Sequence, residues 1–294
     1  LVLCALLAGC SEPGDPDIGD AGSLAARADL SGQTYVLGGT TSREQQLLCA
    51  ISTIALESAG ASVTQRCNSA STSDAREALV TGDTNIEWQY TGQVWAGPYA
   101  QNARLPPDEL YRQVARRDRT ENAIDWLNRT GFDATYAVAV NGADAARLRL
   151  HTISEMANYV RSGQPGTTCV DRDYDTRVDG LRGLEAAYGF TIAPDRLQVL
   201  DRSLLYQSTA DNVCTFGVVS ASNGQVPGLG LVLLEDDLGY HLPYNAAPTV
   251  RDETFRRNPG VAAVLNPIAQ ALDGPTMRTL TSRVTADGMP TADV

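Results

Sequence analysis

Three tyrosines and one arginine are the residues of this chain best suited to bind a small charged molecule. Tyr90, Tyr136 and Tyr244 fall at or near the ends of predicted strands. Several tyrosine rings around one point attract a quaternary ammonium group through cation–π contacts, each contributing about 0.5–2 kcal/mol. Arg177, just before a predicted helix, can hold a carboxylate through two parallel hydrogen bonds. For any single tyrosine, the alternative is ordinary core packing with a satisfied hydroxyl.

Strands alternate with helices along the chain, which predicts an α/β protein with parallel or mostly parallel sheets. A strand over Tyr35–Gly39 precedes a helix that begins at Ser42, where Gln45 completes a capping-box pattern. Further strands are predicted over Ile86–Tyr90 and Thr135–Val140. Ligands of open α/β sheets bind beyond the carboxyl ends of the strands, so the tyrosines lie where a binding site is expected.

The helices that connect these strands are predicted from caps and apolar spacing. Ser73 is expected to cap a short helix, and a helix carrying Ile124 and Leu127 is expected to end at Gly131. A further helix is predicted over Asp179–Tyr188, and helices make up the carboxyl-terminal part of the chain.

Nothing in the sequence favours an enzyme, a cofactor or a metal site. The chain has no G-x-S-x-G, P-loop or H-E-x-x-H motif, it has only two histidines, and it contains no lysine. The acidic run 235–237 is interpreted as a solvated strand exit, and Ser220 and Ser222 have no evident base. A formal net charge of −12 argues against nucleic acid, because phosphate binding needs a basic surface.

The amino-terminal residues predict export and a lipid anchor. A short apolar run ends in Leu7-Ala8-Gly9-Cys10 and is followed at once by polar residues, as in a bacterial lipobox. Residues 1–9 are interpreted as the remnant of a signal peptide, with Cys10 as the lipidated residue. Residues 10–32, rich in Gly, Asp, Ala, Ser and Pro, are interpreted as a flexible tether at the extracytoplasmic face of the membrane.

The remaining cysteines fit an oxidising compartment. Cys4 lies in the predicted signal segment, and four cysteines follow the anchor: Cys49, Cys67, Cys169 and Cys214. They allow three pairings. The pairing Cys49–Cys67 with Cys169–Cys214 is favoured, because each bridge then stays within one of the two lobes into which the chain is predicted to fold. Four buried free thiols are the alternative.

The length of the mature chain favours two α/β lobes over a single core. The chain is expected to leave the first lobe near Tyr136 and to return near Leu234. Lobe I is therefore predicted to comprise residues 33–136 and 235–294, and lobe II residues 137–234.

Four segments together carry a family resemblance. They are Trp88–Gln93, Thr135–Val140, Arg177–Gly189 with its Asp-Gly-Leu-x-Gly-Leu start, and Leu233–Pro248 with the run Pro-Tyr-Asn-Ala-Ala-Pro. Over residues 33–286 the chain resembles the substrate-binding component of glycine betaine, choline and osmoprotectant ABC importers, the ProX, OpuAC and OsmX-like family. The resemblance implies a type II periplasmic-binding-protein fold, with a ligand in the cleft between two lobes joined by a two-segment hinge. It also implies Tyr90, Tyr136 and Tyr244 as cage tyrosines, Arg177 as the carboxylate partner and Gln93 as a further ligand contact.

Two positions depart from the family pattern. Thr40 stands where the family often has a ligand-facing lysine, and Ser220 stands where it often has a cage tyrosine. The loss of a cation and an aromatic ring weakens the expectation of glycine betaine itself. It favours a larger or less charged ligand, such as carnitine, a choline ester or ergothioneine.

The resulting expectation is a lipid-anchored, monomeric solute receptor that delivers a quaternary-ammonium or zwitterionic solute to an ABC permease. The alternatives are a receptor for another polar solute, such as ergothioneine, an amino acid or a polyol, and a sensory module with a degenerate cleft. An exported enzyme on the same fold is disfavoured, because the cleft segments supply Tyr, Thr, Gln and Arg but no histidine and no paired carboxylates.

Overall fold

The computed structural model of the 294-residue chain describes residues 24, 26–177, 179–285, 288–291 and 293–294. Cys4, Cys10, the predicted signal remnant and most of the predicted tether lie outside these residues. The last part of the predicted tether is described, and it is packed against the protein. Leu30 is fully buried in the same core as Leu56, and its N–H donates to the Ala59 carbonyl at 2.8 Å. The expectation of a flexible segment up to residue 32 is therefore wrong for these residues.

The described residues form two five-stranded sheets, with the strand orders β2-β1-β3-β10-β4 and β7-β6-β8-β5-β9. In chain order the strands are β1 (Thr34–Thr40), β2 (Ser62–Ser69), β3 (Ile86–Tyr90), β4 (Ile124–Trp126), β5 (Tyr136–Asn141), β6 (Thr168–Val170), β7 (Leu197–Val199), β8 (Phe216–Ser220), β9 (Leu231–Leu233) and β10 (Ala246–Arg251). All strands of the first sheet run in one direction except β10, and all strands of the second except β5. The sheets are mixed and mostly parallel, and the α/β prediction is confirmed.

Helices flank both sheets, and a 3₁₀ turn covers Pro194–Arg196. In chain order the helices are α1 (Arg43–Ser58), α2 (Thr72–Thr81), α3 (Thr91–Ala96), α4 (Pro107–Asn122), α5 (Gly142–Leu148), α6 (Ile153–Arg161), α7 (Arg172–Thr176), α8 (Leu181–Tyr188), α9 (Arg202–Ala210), α10 (Gln225–Gly228), α11 (Asp252–Arg257), α12 (Gly260–Ala271) and α13 (Gly274–Thr285).

The start of α1 follows the sequence prediction in part. The Ser42 side chain accepts the Gln45 N–H at 3.3 Å, as an N-cap should. The Gln45 side chain, however, donates to the Trp88 carbonyl at 2.8 Å and so ties α1 to β3. A complete capping box occurs instead at Thr152 and Glu155, at the start of α6. The contact of the Gln45 side chain with β3 therefore replaces the predicted capping box.

Several predicted elements are corrected by strand pairing. The predicted helix around Ile124 is the strand β4, because Ile124 pairs with Arg251 of β10. The strand β10 itself, which lies between β3 and β4, was not predicted. This strand contains Pro248, and a proline normally argues against a central strand. The helix α2 is capped by Ser71 rather than Ser73, and the helix predicted from Asp179 begins at Leu181.

Two disulfides close within the lobes. Cys49 of α1 bonds Cys67 of β2, and Cys169 of β6 bonds Cys214, which lies just before β8. This is the pairing favoured from the sequence. Each bridge ties a helix or loop to the sheet of its own lobe, so neither restrains movement of one lobe against the other.

Two adjacent segments connect the lobes. The Ala134 N–H donates to the Tyr244 carbonyl at 3.1 Å, and the Thr135 hydroxyl donates to the Leu242 carbonyl at 2.7 Å. Tyr136, predicted as the last residue of lobe I, begins a strand of the second sheet and packs against both cores. On the return, Tyr240 still packs in the second core and Leu242 packs in the first, whereas the predicted crossing lies at residues 234 and 235.

Candidate functional site

Strand ends of the two sheets meet in a cleft between the lobes. Tyr90 ends β3 of the first sheet. Tyr136 begins β5 of the second sheet and pairs in register with Ser220 at the end of β8. Because β5 runs against its neighbours, its first residue lies at their carboxyl ends. Tyr244, on the returning connection, has its ring centroid 6.2 Å from that of Tyr136. The fold thus brings together two tyrosines that are distant in the sequence.

Arg177 lies beside both of these rings. Its guanidinium carbon is 5.7 Å from the ring centroid of Tyr136 and 5.7 Å from that of Tyr244. Both distances are within the range of a cation–π contact. One Nη2–H of Arg177 also donates to the Tyr244 hydroxyl. The ring of Tyr174, which the sequence analysis did not single out, lies 4.8 Å from that of Tyr136 and extends the aromatic surface.

Asp179 holds the other edge of the guanidinium group. The Nε–H and Nη2–H of Arg177 donate to its two carboxylate oxygens at 2.9 and 2.6 Å. Burial alone would lower the pKa of Arg177, but the hydrogen bond and charge of Asp179 raise it above its ordinary value. Burial would raise the pKa of Asp179, and the bonds from Arg177 lower it below its ordinary value. Both groups are therefore ionised at neutral pH.

Tyr90 lies in a different electrostatic environment. Its hydroxyl donates to Glu44, in the first turn of α1, at 2.5 Å. The other Glu44 oxygen accepts the Ser222 hydroxyl at 2.5 Å, from the segment that follows β8. Burial raises the pKa of Glu44 despite these two bonds. Burial, then the nearby Glu44 charge, raises the pKa of Tyr90. This contact joins the lobes through a half-buried carboxyl group.

A histidine, His241, contacts the aromatic cluster through Tyr174. The Nε2 of His241 lies 2.8 Å from the Tyr174 hydroxyl, and its Nδ1 lies 3.0 Å from Asp236. Asp236 also accepts the Tyr188 hydroxyl. Burial would raise the pKa of Asp236, but the bond from His241 and further donors lower it. Asp236, predicted to be solvated, is instead a central acceptor of this network.

A shallow pocket, partly open to solvent, lies in the cleft. Tyr136 and Tyr244 line it, together with Asp179, Tyr240 and His241. Apolar rings, one carboxylate and one imidazole are suitable surfaces for a small organic cation or zwitterion. In the part of the chain that the structure describes, no group of three or more His, Cys, Asp or Glu could hold a metal ion.

The other predicted site residues lie near the cleft but outside the aromatic cluster. Thr40 ends β1 and is 9% exposed, and its hydroxyl donates to that of Ser42 at 3.2 Å. Gln93 is half-buried on α3, the helix that follows Tyr90. The Ser220 hydroxyl lies 3.0 Å from that of Ser222. Their roles toward a ligand stay predictions.

The charged residues of the cleft that the sequence analysis missed include Glu44, Asp179 and Arg202, whose guanidinium group donates to the Tyr136 hydroxyl at 3.2 Å. Glu44 lies four positions after Thr40, and Asp179 follows Arg177 by two positions. A carboxylate so close to the candidate Arg177 was the available signal. The other partners, Tyr174 and His241, come from separate segments and carry no local signal of their position.

These features define the class of the protein. Two mixed α/β lobes, two connecting segments and a cleft at the strand ends define a type II periplasmic-binding-protein fold. A solved glycine betaine/carnitine/choline ABC transporter structure has the same fold, with a TM-score of 0.77 at 20% identity, covering 88% of this chain and 95% of that chain.

The chain belongs to the family described as the substrate binding domain of ABC-type glycine betaine transport systems, whose model matches residues 33–294. It is similar to a glycine-betaine-binding protein of Pseudomonas aeruginosa, with 32% identity over 86% of this chain and 82% of that protein. It is also similar to the glycine betaine-binding protein YehZ of Escherichia coli, with 28% identity over 92% of each chain. The family predicted from the sequence is confirmed. None of the described helices has both the length and the apolar character needed to cross a membrane.

Proposed function

We propose that this protein is the extracytoplasmic receptor of an ABC importer, binding a small quaternary-ammonium or zwitterionic solute between its lobes. The observation that carries the proposal is a cation already placed beside two tyrosine rings, 5.7 Å from the centroid of Tyr136 and 5.7 Å from that of Tyr244. A site that attracts a guanidinium group in this way also attracts an alkylated ammonium group. The family and its glycine betaine-binding relatives support the same ligand class.

The residues have separate roles in this proposal. Tyr90, Tyr136 and Tyr244 contact the cationic end of the ligand. Arg177 binds the carboxylate of a zwitterion through a bidentate pair. The smaller side chains predicted from the sequence, Thr40, Gln93 and Ser220, contact the ligand at the edge of the cage.

Closure of the lobes is the binding step that we propose. The two connecting segments allow the lobes to rotate, and closure excludes water from the cleft. Exclusion of water strengthens the charge contacts of Arg177 and the cation–π contacts of the rings. Binding and release to a permease need no covalent step, so the proposed function is not enzymatic.

We further propose that the receptor acts as a monomer anchored by lipid on Cys10, at the outer face of the cell membrane. Two disulfides support an oxidising compartment, since such bonds rarely persist in the cytosol. The anchor is supported by the sequence Leu-Ala-Gly-Cys alone. Metabolic labelling with a palmitate analogue, compared between the wild type and Cys10→Ala, tests it.

Calorimetric titration of the purified mature domain with glycine betaine, choline, carnitine and ergothioneine tests the ligand class. We expect at least one of these solutes to bind. Replacing Tyr136 by Ala removes one face of the cage and should weaken that binding about tenfold or more.

Tyr159→Ala is the matched control, because Tyr159 is a half-buried tyrosine of the same lobe whose hydroxyl bonds Pro165. It should leave the affinity nearly unchanged while both variants keep the circular dichroism spectrum of the wild type. A folded protein that binds none of the four solutes would contradict the proposal. Binding of ergothioneine alone would narrow it to a zwitterion with a larger ring.

A further inference from the structure

The guanidinium group of Arg177 occupies the position that a ligand cation would need. It lies 5.7 Å from the ring centroids of both Tyr136 and Tyr244, and it donates to the Tyr244 hydroxyl. The cluster thus already contains a positive charge supplied by the protein. Any ligand cation that uses the same two ring faces has to displace Arg177 or share the space with it.

Asp179 supplies the matching negative charge. It accepts two hydrogen bonds from Arg177, at 2.9 and 2.6 Å, and it lines the same pocket as Tyr136 and Tyr244. The two side chains of the ion pair are 26% and 27% exposed, so solvent and ligand can reach both. Together they present a cation against aromatic rings with a carboxylate beside it, which is the charge arrangement of a betaine.

A tight turn keeps the two side chains together. The Gly180 N–H donates to the Arg177 carbonyl at 3.1 Å. A Cβ on Gly180 would lie 1.9 Å from the Tyr174 carbonyl oxygen, so only glycine fits there. The same glycine is the N-cap of α8, which fixes the turn to the second lobe.

We propose that Arg177 and Asp179 form a resident ion pair that exchanges partners with the ligand and thereby selects zwitterions over simple cations. This inference rests on the proposed function. A zwitterion offers its carboxylate to Arg177 and its ammonium group to Asp179, so one ion pair is replaced by two. A simple cation offers Arg177 no new partner and is repelled by it at short range. When a simple cation binds Asp179, Arg177 loses its partner and gains none. Only the simple cation therefore leaves a partly buried charge unpaired, which weakens its binding.

The test is the ratio of the association constants for glycine betaine and choline, measured by calorimetry on the folded mature domain. In Arg177→Gln, choline should bind more tightly than to the wild type and glycine betaine more weakly, so the ratio should fall about a hundredfold. In Asp179→Asn, choline loses its counter-charge while Arg177 still meets the betaine carboxylate, so the ratio should rise about tenfold.

Two exposed residues give matched controls for the change in charge. Arg182 lies on α8 with a side chain 63% exposed, and Asp195 lies on an exposed turn. The control variants are Arg182→Gln and Asp195→Asn. Neither should move the ratio by more than about twofold. If Arg177→Gln does not fold, Arg177→Lys keeps the charge but not the two-pronged contact, and it should lower the ratio by a smaller factor.

The outcomes separate this inference from the proposed function. If the wild type binds and Arg177→Gln leaves choline affinity unchanged or lowers it, Arg177 is only a carboxylate partner and the exchange is overturned. A shift of the ratio in the same direction in both variants also overturns it. A folded wild type that binds neither these two solutes nor carnitine and ergothioneine overturns the proposed function, and with it this inference.

Discussion

The two walls of the cleft use tyrosine in opposite ways. On the Tyr90 wall, formed by Tyr90, Glu44 and Ser222, the tyrosine hydroxyl donates to a half-buried carboxyl group. On the Arg177 wall, formed by Arg177, Tyr136 and Tyr244, a tyrosine hydroxyl accepts from a guanidinium group and the ring faces a positive charge.

The difference shows that the position of a tyrosine at a strand end does not fix its role. Both walls join the lobes through polar atoms, Glu44 with Ser222 on one and Arg177 with Tyr244 on the other. The Tyr90 wall uses its tyrosine hydroxyl to bind a carboxyl group, which suits a structural contact. The Arg177 wall places two tyrosine rings beside a cation, which suits recognition of a ligand. Three predictions test this division, in addition to the tests of ligand class and ion-pair exchange above.

The largest expected effect comes from Gly92→Ala, which disturbs Tyr244 of the Arg177 wall. A Cβ on Gly92 would lie 2.3 Å from a ring carbon of Tyr244 and 2.7 Å from the Pro243 carbonyl oxygen. The ring must move, and we expect a loss of about 1–3 kcal/mol in the free energy of unfolding, as in other overpacked sites. Ligand affinity should fall about tenfold, since the cage geometry changes with the ring.

Urea denaturation and calorimetry measure these two effects. Gly228→Ala is the control, because a Cβ there meets nothing within 4 Å. Unchanged ligand affinity in Gly92→Ala would contradict the placement of Tyr244 in the ligand cage.

The next effect compares the two hydroxyl groups directly. Tyr90→Phe leaves the half-buried Glu44 with one donor fewer, and the loss of a hydrogen bond to such a group costs about 1–2 kcal/mol. Tyr244→Phe removes a bond to Arg177, which is 26% exposed, so water can replace it and the cost should be below about 1 kcal/mol. Thermal unfolding of both variants measures the difference. A larger loss in Tyr244→Phe would reverse the assignment of structural and ligand-contact roles.

The smallest effect is the pH dependence of stability, which should have opposite sign on the two walls. The pKa of Glu44 is raised in the folded protein, so its contribution to stability is present below its ordinary value of 4.5 and is lost as pH rises through the raised pKa. The pKa of Asp179 is lowered, so its contribution is present above its ordinary value of 3.8 and is lost as pH falls through the lowered pKa.

Glu44→Gln should therefore reduce the loss of stability on raising the pH above 4.5, and Asp179→Asn should reduce the loss on acidification below 3.8. Urea midpoints of the wild type and both variants across these pH ranges test the two signs. The same sign in both variants would show that the two walls do not differ in electrostatic character. Glu87, a buried carboxyl group outside the cleft whose pKa burial raises to about 7, has to be replaced by Gln in all three proteins so that its titration does not overlap.

Much of the fold could be predicted from local patterns. The strand over Ile86–Tyr90 has the predicted bounds, and the cap of α1 at Ser42 is confirmed. The errors are informative. Ile124 looked helical because its apolar neighbours are spaced by three, but the three-residue strand β4 forms by pairing with β10. A strand this short has too few residues to show an alternating pattern, and only its partner makes it a strand.

The candidate site also has some features that local sequence determined and others that it did not. The sequence by itself determined the residue types, namely the tyrosines after strands, Arg177 before a helix and the four cysteines available for bridges. These follow from local rules for strand ends, helix starts and export, which need no knowledge of distant residues.

Only the tertiary structure decided which tyrosine meets which charge. Glu44 and Ser222 are 178 residues apart in the chain, and Arg177 and Tyr244 are 67 apart. Their contacts depend on how two lobes, connected by two short segments, place one set of strand ends against another. That placement follows from the packing of both cores at once, and so the opposite electrostatic characters of the two walls cannot be predicted from any local stretch of the sequence.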